Sequence, residues 1–197
     1  MDNLQKIFPT KKTGQEKLII KSNPTGYSLL DFWTWSVSDL VSNATRGRLA
    51  EFIIATSTGV DLTSVRGEWD AYDLITPKGI KIEVKSAAYL QSWYQKNYST
   101  ISFSIKEARH WDSETNQVTH KSARSADVYV FCLLKHMDKI TLDPLNLDQW
   151  EFFVVPVKTI NNYTRSKTSI TLKSLGKLAS PVKYDEVKKA VQECLRP

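Results

Sequence analysis

Three charged residues, Asp73, Glu83 and Lys85, stand on either side of a tight-turn signal. Residues 72–76 (Tyr-Asp-Leu-Ile-Thr) and 80–85 (Ile-Lys-Ile-Glu-Val-Lys) read as strands around Pro77-Lys78-Gly79. Proline suits the second position of a type I turn and glycine the left-handed position after it, which gives a three-residue hairpin loop. Thr76 then pairs with Ile80, and Asp73 falls opposite Glu83. Side chains alternate along a strand, so Asp73, Glu83 and Lys85 project from one face while Ile82 and Val84 turn to the core. Opposed carboxylates repel, a cost that stable sheets avoid. A hard divalent cation between them removes it, because Mg²⁺ takes one or two carboxylates plus waters and phosphate oxygens. A lysine beside it can orient or deprotonate a water and offset charge on a phosphorane-like transition state. The plain alternative is a solvated strand face with a cross-strand salt bridge. Asp70 rivals Asp73, but three residues earlier it points to the opposite face unless a bulge near Trp69 re-aims it.

These residues need elements to hold them. Ser38 followed by Asp39 makes an N-cap with an acidic first turn, and Leu49, Phe52 and Ile53 follow at helical spacing, with Thr56 next in that register. Gly59 ends this helix. After the hairpin, residues 86–96 read as a second helix, aromatic on one side and capped by Ser86. Strands are expected over residues 100–105, 128–135 and 150–157, and a terminal amphipathic helix over 184–195. Residues 1–25 are polar and interrupted by Pro9, Gly14 and Pro24, so they read as a loosely docked arm around a short Leu18-Ile19-Ile20 strand. Phe32, Trp33 and Trp35 follow and are expected to dock on the core. The organisation expected is an N-terminal arm over residues 1–37 and one domain over 38–197. Its fold class is α/β, a central mixed β-sheet flanked by helices.

Asp73, a nine-residue gap and then Glu83-Val84-Lys85 resembles the PD-(D/E)xK nuclease superfamily. Its motif places an Asp on one strand and Glu-x-Lys on the hairpin partner. Tyr72 stands where the motif has its proline. The resemblance covers residues 38–93 and implies a restriction-endonuclease-like core. It also implies a Glu on the first helix pointing at the site, for which Glu51 in Arg46-Gly47-Arg48-Leu49-Ala50-Glu51 is the match. By the same resemblance the Val84 carbonyl joins Asp73, Glu83 and Glu51 as a metal ligand. Gln91, six residues after Lys85, matches a glutamine that positions the lysine or the phosphate. Arg46 and Arg48 share the helix of Glu51 and would face phosphates. The implied activity is Mg²⁺-dependent hydrolysis of phosphodiester bonds in DNA, with Mn²⁺ able to substitute and a homodimer as one arrangement. A catalytically inactive nucleic-acid-binding module on the same fold is the alternative.

Composition agrees with a polyanionic partner. The net charge is +6, and residues 158–197, with nine basic residues against three acidic, carry all of it. A basic region on a neutral body suits phosphates, whose neutralisation releases counterions. Tyr89, Trp93, Tyr94 and Tyr98 interleave with Lys96, and His110-Trp111 follows Lys106 and Arg109, so stacking on bases is one reading and core packing the other. Arg124 and Asp127 read as a salt bridge. At 197 residues the chain can bury about 70% of its extended surface without a disulfide or metal staple. Cys132 and Cys194 form no CxxC and no zinc pattern with the three histidines. The apolar runs are too short to cross a bilayer and the first residues make no secretory signal, so a cytoplasmic protein without membrane contact is expected. The sequence lacks GxxxxGK[ST], HExxH, GxSxG and GxGxxG.

Overall fold

The computed structural model describes residues 6–67, 70–112 and 115–195. Its centre is a four-stranded mixed sheet in the order β3 (Leu74–Ile75), β4 (Lys81–Ala88), β8 (Val128–Leu134), β9 (Trp150–Pro156). β4 is antiparallel to β3 and parallel to β8, and β8 is antiparallel to β9. Every residue of β8 is buried, which fits its unbroken apolar run Val-Tyr-Val-Phe-Cys-Leu-Leu at the middle of a sheet covered on both faces.

On one face α2 (Asn43–Thr58) and α5 (Val187–Glu193) bury Ala50, Ile53, Ile54, Val187 and Val191 against Ile82, Val84, Val130 and Cys132. On the other, the antiparallel ribbon of β5 (Ser102–Ser104) and β10 (Ser169–Thr171) joins two short helices, α3 (Val157–Asn161) and α4 (Leu172–Leu175). Phe103, Ile160, Ile170 and Leu175 there cover Tyr129, Phe131 and Leu133. Phe103 meets Phe131 edge-on with ring centroids 5.2 Å apart. Each such fully buried apolar side chain stabilises the fold by about 1.5–3 kcal/mol.

The hairpin forms as expected, with Gly79 at φ 79° and its N–H donating to the Thr76 carbonyl at 2.8 Å. Gly59 ends α2 in the left-handed conformation at φ 78°. That helix begins at Asn43 and not after Ser38, because Asp39 is used up in a local turn. Its Oδ1 accepts from the N–H groups of Val41 and Ser42 at 3.1 and 3.0 Å, a geometry that competes with helix. Phe52 lies outside the core, 55% exposed, since the buried stripe runs through Arg46, Ala50, Ile53, Ile54 and Thr58.

Residues 86–96 are not a helix. β4 continues through Ser86, Ala87 and Ala88, each paired with β8, and irregular chain follows to residue 101. Seven consecutive parallel pairs outweigh the helical propensity of two alanines. The remaining strands fall where expected. The terminal helix opens as a 3-10 turn at Tyr184–Glu186 before α5.

In the arm, β1 (Lys17–Ile20) and β2 (Asn23–Ser28) form a hairpin, and α1 (Leu29–Val37) follows behind a capping box between Ser28 and Asp31. The expected docking of the aromatics on the core does not occur. No residue of α1 is buried; Trp33 closes over Gly14 of the arm itself, and Trp35 is 84% exposed.

Candidate active site

The site lies where β3 leaves β4. Regular pairing is Ile75 with Lys81 and Leu74 with Ile82, and it stops there. The Asp73 N–H turns in to the Ile82 carbonyl at 3.0 Å, so Asp73 is shifted from the directly opposed position that the ideal hairpin register gives it. Its carboxylate reaches along the vacated edge, and Oδ2 accepts from the Val84 N–H at 2.7 Å. That bond takes the place of the next ladder bond, which the departing strand can no longer provide. Glu83 and Lys85 project from the β4 face that bears Tyr129, Phe131 and Leu133, with Glu83 in register with Tyr129. Lys85 Nζ donates to Glu83 Oε1 at 2.5 Å, and both side chains are partly exposed.

Charge and burial act together on this pair. Burial pushes the Asp73 carboxyl above the ordinary carboxylate range, and the Glu83 charge pushes it further. The Val84 N–H, Lys85 and Arg66 oppose that rise. Tyr129 shows the same environment: burial first and the Glu83 charge next raise its phenol to about 12, so it holds its proton.

Asp73, Glu83 and Tyr129 open into a cleft of about 350 Å³ that Lys106, Arg109 and Arg124 also line. Arg124 fastens this lining. Its side chain is 3% exposed, with Nε and Nη2 donating to the buried Ile105 carbonyl at 2.9 and 2.7 Å. Its Nη1 reaches Glu107 Oε1 at 3.0 Å and Asn161 Oδ1 at 2.8 Å. The expected Arg124–Asp127 bridge is therefore not the pairing made. Asp127 instead accepts the Lys81 N–H at 2.9 Å, tying β4 to the start of β8.

The other expected site residues are placed unequally. Glu51 forms an ion pair with Arg66, whose Nη2 donates to Glu51 Oε1 at 3.1 Å. Arg66 bears electrostatically on Asp73 as well, so Glu51 connects to the pair through an arginine and not as a third carboxylate beside it. Among the described residues, no group of three His, Cys, Asp or Glu side chains stands together to hold a metal ion. Asp70 is exposed and lines the same cleft, while Glu68 and Trp69, where a bulge would have re-aimed it, lie outside the described residues.

Arg46 is 3% exposed and donates to the Val41 carbonyl and Asn43 Oδ1, both at 2.7 Å, which places it in the interior. Gln91 is buried beside it in the chain after β4, not on a helix. Its amide nitrogen donates to the Ala88 carbonyl and to Ser99 Oγ, both at 3.1 Å, and its oxygen accepts from Arg46 at 3.5 Å. These two residues knit α2 to the end of β4. Arg48 is exposed. Lys96 lines a different, open groove with Tyr98 and residues 137–140.

Sequence reasoning missed Arg66 and Tyr129. Tyr129 carries the one side-chain hydroxyl in an otherwise apolar strand, and that break in the pattern was the available signal.

Two carboxylates and a lysine thus meet at a broken strand edge of a mixed α/β sheet. Residues 2–174 match the family model described as bacteriophage T4 endonuclease IV, and the chain belongs to that family, one of nucleases. No curated protein matches in sequence comparison. Among the described residues, no helix is long and apolar enough to cross a membrane.

Proposed function

We propose that this chain is a divalent-metal-dependent endonuclease that hydrolyses phosphodiester bonds in DNA, with a site of the PD-(D/E)xK kind. The observation that carries the reading is the convergence of Asp73, Glu83 and Lys85 where β3 parts from β4, with Asp73 and Glu83 lining a cleft. Family membership supports an endonuclease.

The donor set fits a hard cation. Two carboxylates lie close enough for one to raise the pKa of the other, the arrangement that Mg²⁺ or Mn²⁺ relieves. Asp73 and Glu83 would hold the ion. The Val84 carbonyl is the third donor proposed, since the N–H and C=O of one strand residue leave on the same side and the Val84 N–H faces Asp73. Bound there, such an ion polarises the phosphoryl oxygens and lowers the pKa of a water.

The protein's own groups do the rest. Lys85, steadied by Glu83, presents its ammonium to the attacking water and to the charge that grows on the phosphoryl oxygens. As the water oxygen bonds to phosphorus, the P–O bond to the leaving nucleotide breaks, and the proton lost by the water passes through solvent to the departing oxygen. Arg66, held by Glu51, keeps positive charge beside Asp73. Supercoiled and single-stranded DNA incubated with Mg²⁺, Mn²⁺ or EDTA tests the reading. Cleavage that requires the metal is expected. Salt-sensitive binding with no cleavage in either metal would leave a binding module and overturn it.

A further inference from the structure

The cleft has a second wall that the carboxylate–lysine set does not use. Tyr129 forms its floor, with the residue 3% exposed. The phenol lies within the fields of Glu83 and Asp73 on one side and Arg124 on the other, and its hydroxyl has no hydrogen-bond partner among the described residues. A cleft-lining hydroxyl that no protein group accepts from is free to donate to a ligand. Lys106 and Arg109 line the same cleft as the carboxylates, are exposed, and have no acidic partner among the described residues. Arg124, saturated by Ile105, Glu107 and Asn161, holds that wall in place. A volume of about 350 Å³ accommodates one nucleotide unit.

We infer that this cleft seats the strand to be cut, with the Tyr129 hydroxyl donating to an oxygen of the scissile phosphate and Lys106 and Arg109 holding the neighbouring phosphates. The inference rests on the nuclease reading and adds to it the groups that receive the substrate. A cleft lined by both carboxylates and cations suits a phosphodiester: the carboxylates are complete only with a cation, and the cations only with an anion. Tyr129 is positioned by its place in the buried strand β8 and by stacking on Phe131 with centroids 5.8 Å apart. It therefore offers its proton without reorganisation.

Tyr129→Phe removes only the hydroxyl, and Lys106→Ala with Arg109→Ala removes two exposed cations that the fold does not need. Single-turnover cleavage, DNA affinity in EDTA across a salt series, and melting temperature are read for each. Tyr129→Phe is expected to cleave about 10- to 100-fold more slowly, with affinity and melting temperature unchanged. The double variant is expected to bind less tightly, with the slope of log affinity against log salt reduced by about 0.7–0.9 per cation removed. A wild-type cleavage rate in Tyr129→Phe, or an unchanged salt slope in the double variant, overturns the inference. Asp73→Asn in the same assay separates the two claims, since undiminished cleavage there would defeat the nuclease reading itself.

Discussion

Arg124→Ala should be the most damaging single change in the cleft wall, and its cost can be worked from the contacts. The substitution leaves the Ile105 carbonyl without either guanidinium donor, and Ile105 is fully buried. Orphaning that acceptor costs about 1–3 kcal/mol. The buried stem loses two methylenes, at about 0.8 kcal/mol each. The Glu107 bridge adds little, because the Glu107 side chain is 48% exposed. Asn161 is exposed and recruits water. The expected loss is thus about 4 kcal/mol, and a chain of this size shifts its melting temperature by roughly 2–4 °C per kcal/mol. Thermal unfolding followed by near-UV circular dichroism should show a fall of about 8–16 °C, with Arg124→Lys in between because it keeps the charge and loses the planar fork. A shift under about 2 °C would mean that Arg124 does not anchor the 105–124 segment, and the reasoning about the wall would fail with it.

Three further outcomes follow from the same structure. In EDTA, Asp73→Asn should be more stable than the parent at neutral pH: the folded carboxyl binds its proton more tightly than the unfolded one, so parent stability falls as pH rises through that window. The gap between the two should close as pH drops below the ordinary carboxylate range, and a pH-independent gap in urea titrations would contradict the account. Ile54→Ala, at a fully buried position between α2 and the sheet, should cost about 3 kcal/mol in denaturant unfolding, and a loss under about 1 kcal/mol would contradict the packing described. Cys132, fully buried with its thiol pushed well above the ordinary range, should resist alkylation in the native protein while half-buried Cys194 reacts first, and equal rates by mass spectrometry would refute the burial.

The hairpin was legible because Pro77 and Gly79 have strong local reasons to turn, and the apolar pair Ile82 and Val84 told which face was core. Gly59 marked the end of α2 for a similarly local reason. Its start was misread because Asp39 can cap either a helix or a turn, and only the chain's path decides which. Ser86-Ala87-Ala88 looked helical since nothing local announces that β8, some forty residues later, will pair with it. The same non-local pairing puts Tyr129 beside Glu83, so the floor of the cleft could not be found before the sheet order was known. Arg46 and Gln91 stood at suggestive spacings, but only the fold could reveal that both lie in the interior, with Gln91 accepting from Arg46.

The central claim is that Asp73, Glu83 and Lys85 form a hydrolytic site, and single-turnover cleavage of DNA in Mg²⁺ by Lys85→Ala tests it most directly. With the melting temperature preserved, the account predicts a rate lower by about 10²- to 10⁴-fold, the usual contribution of a group that handles a proton in the transition state. A folded Lys85→Ala protein that cleaves at the parent rate would contradict it.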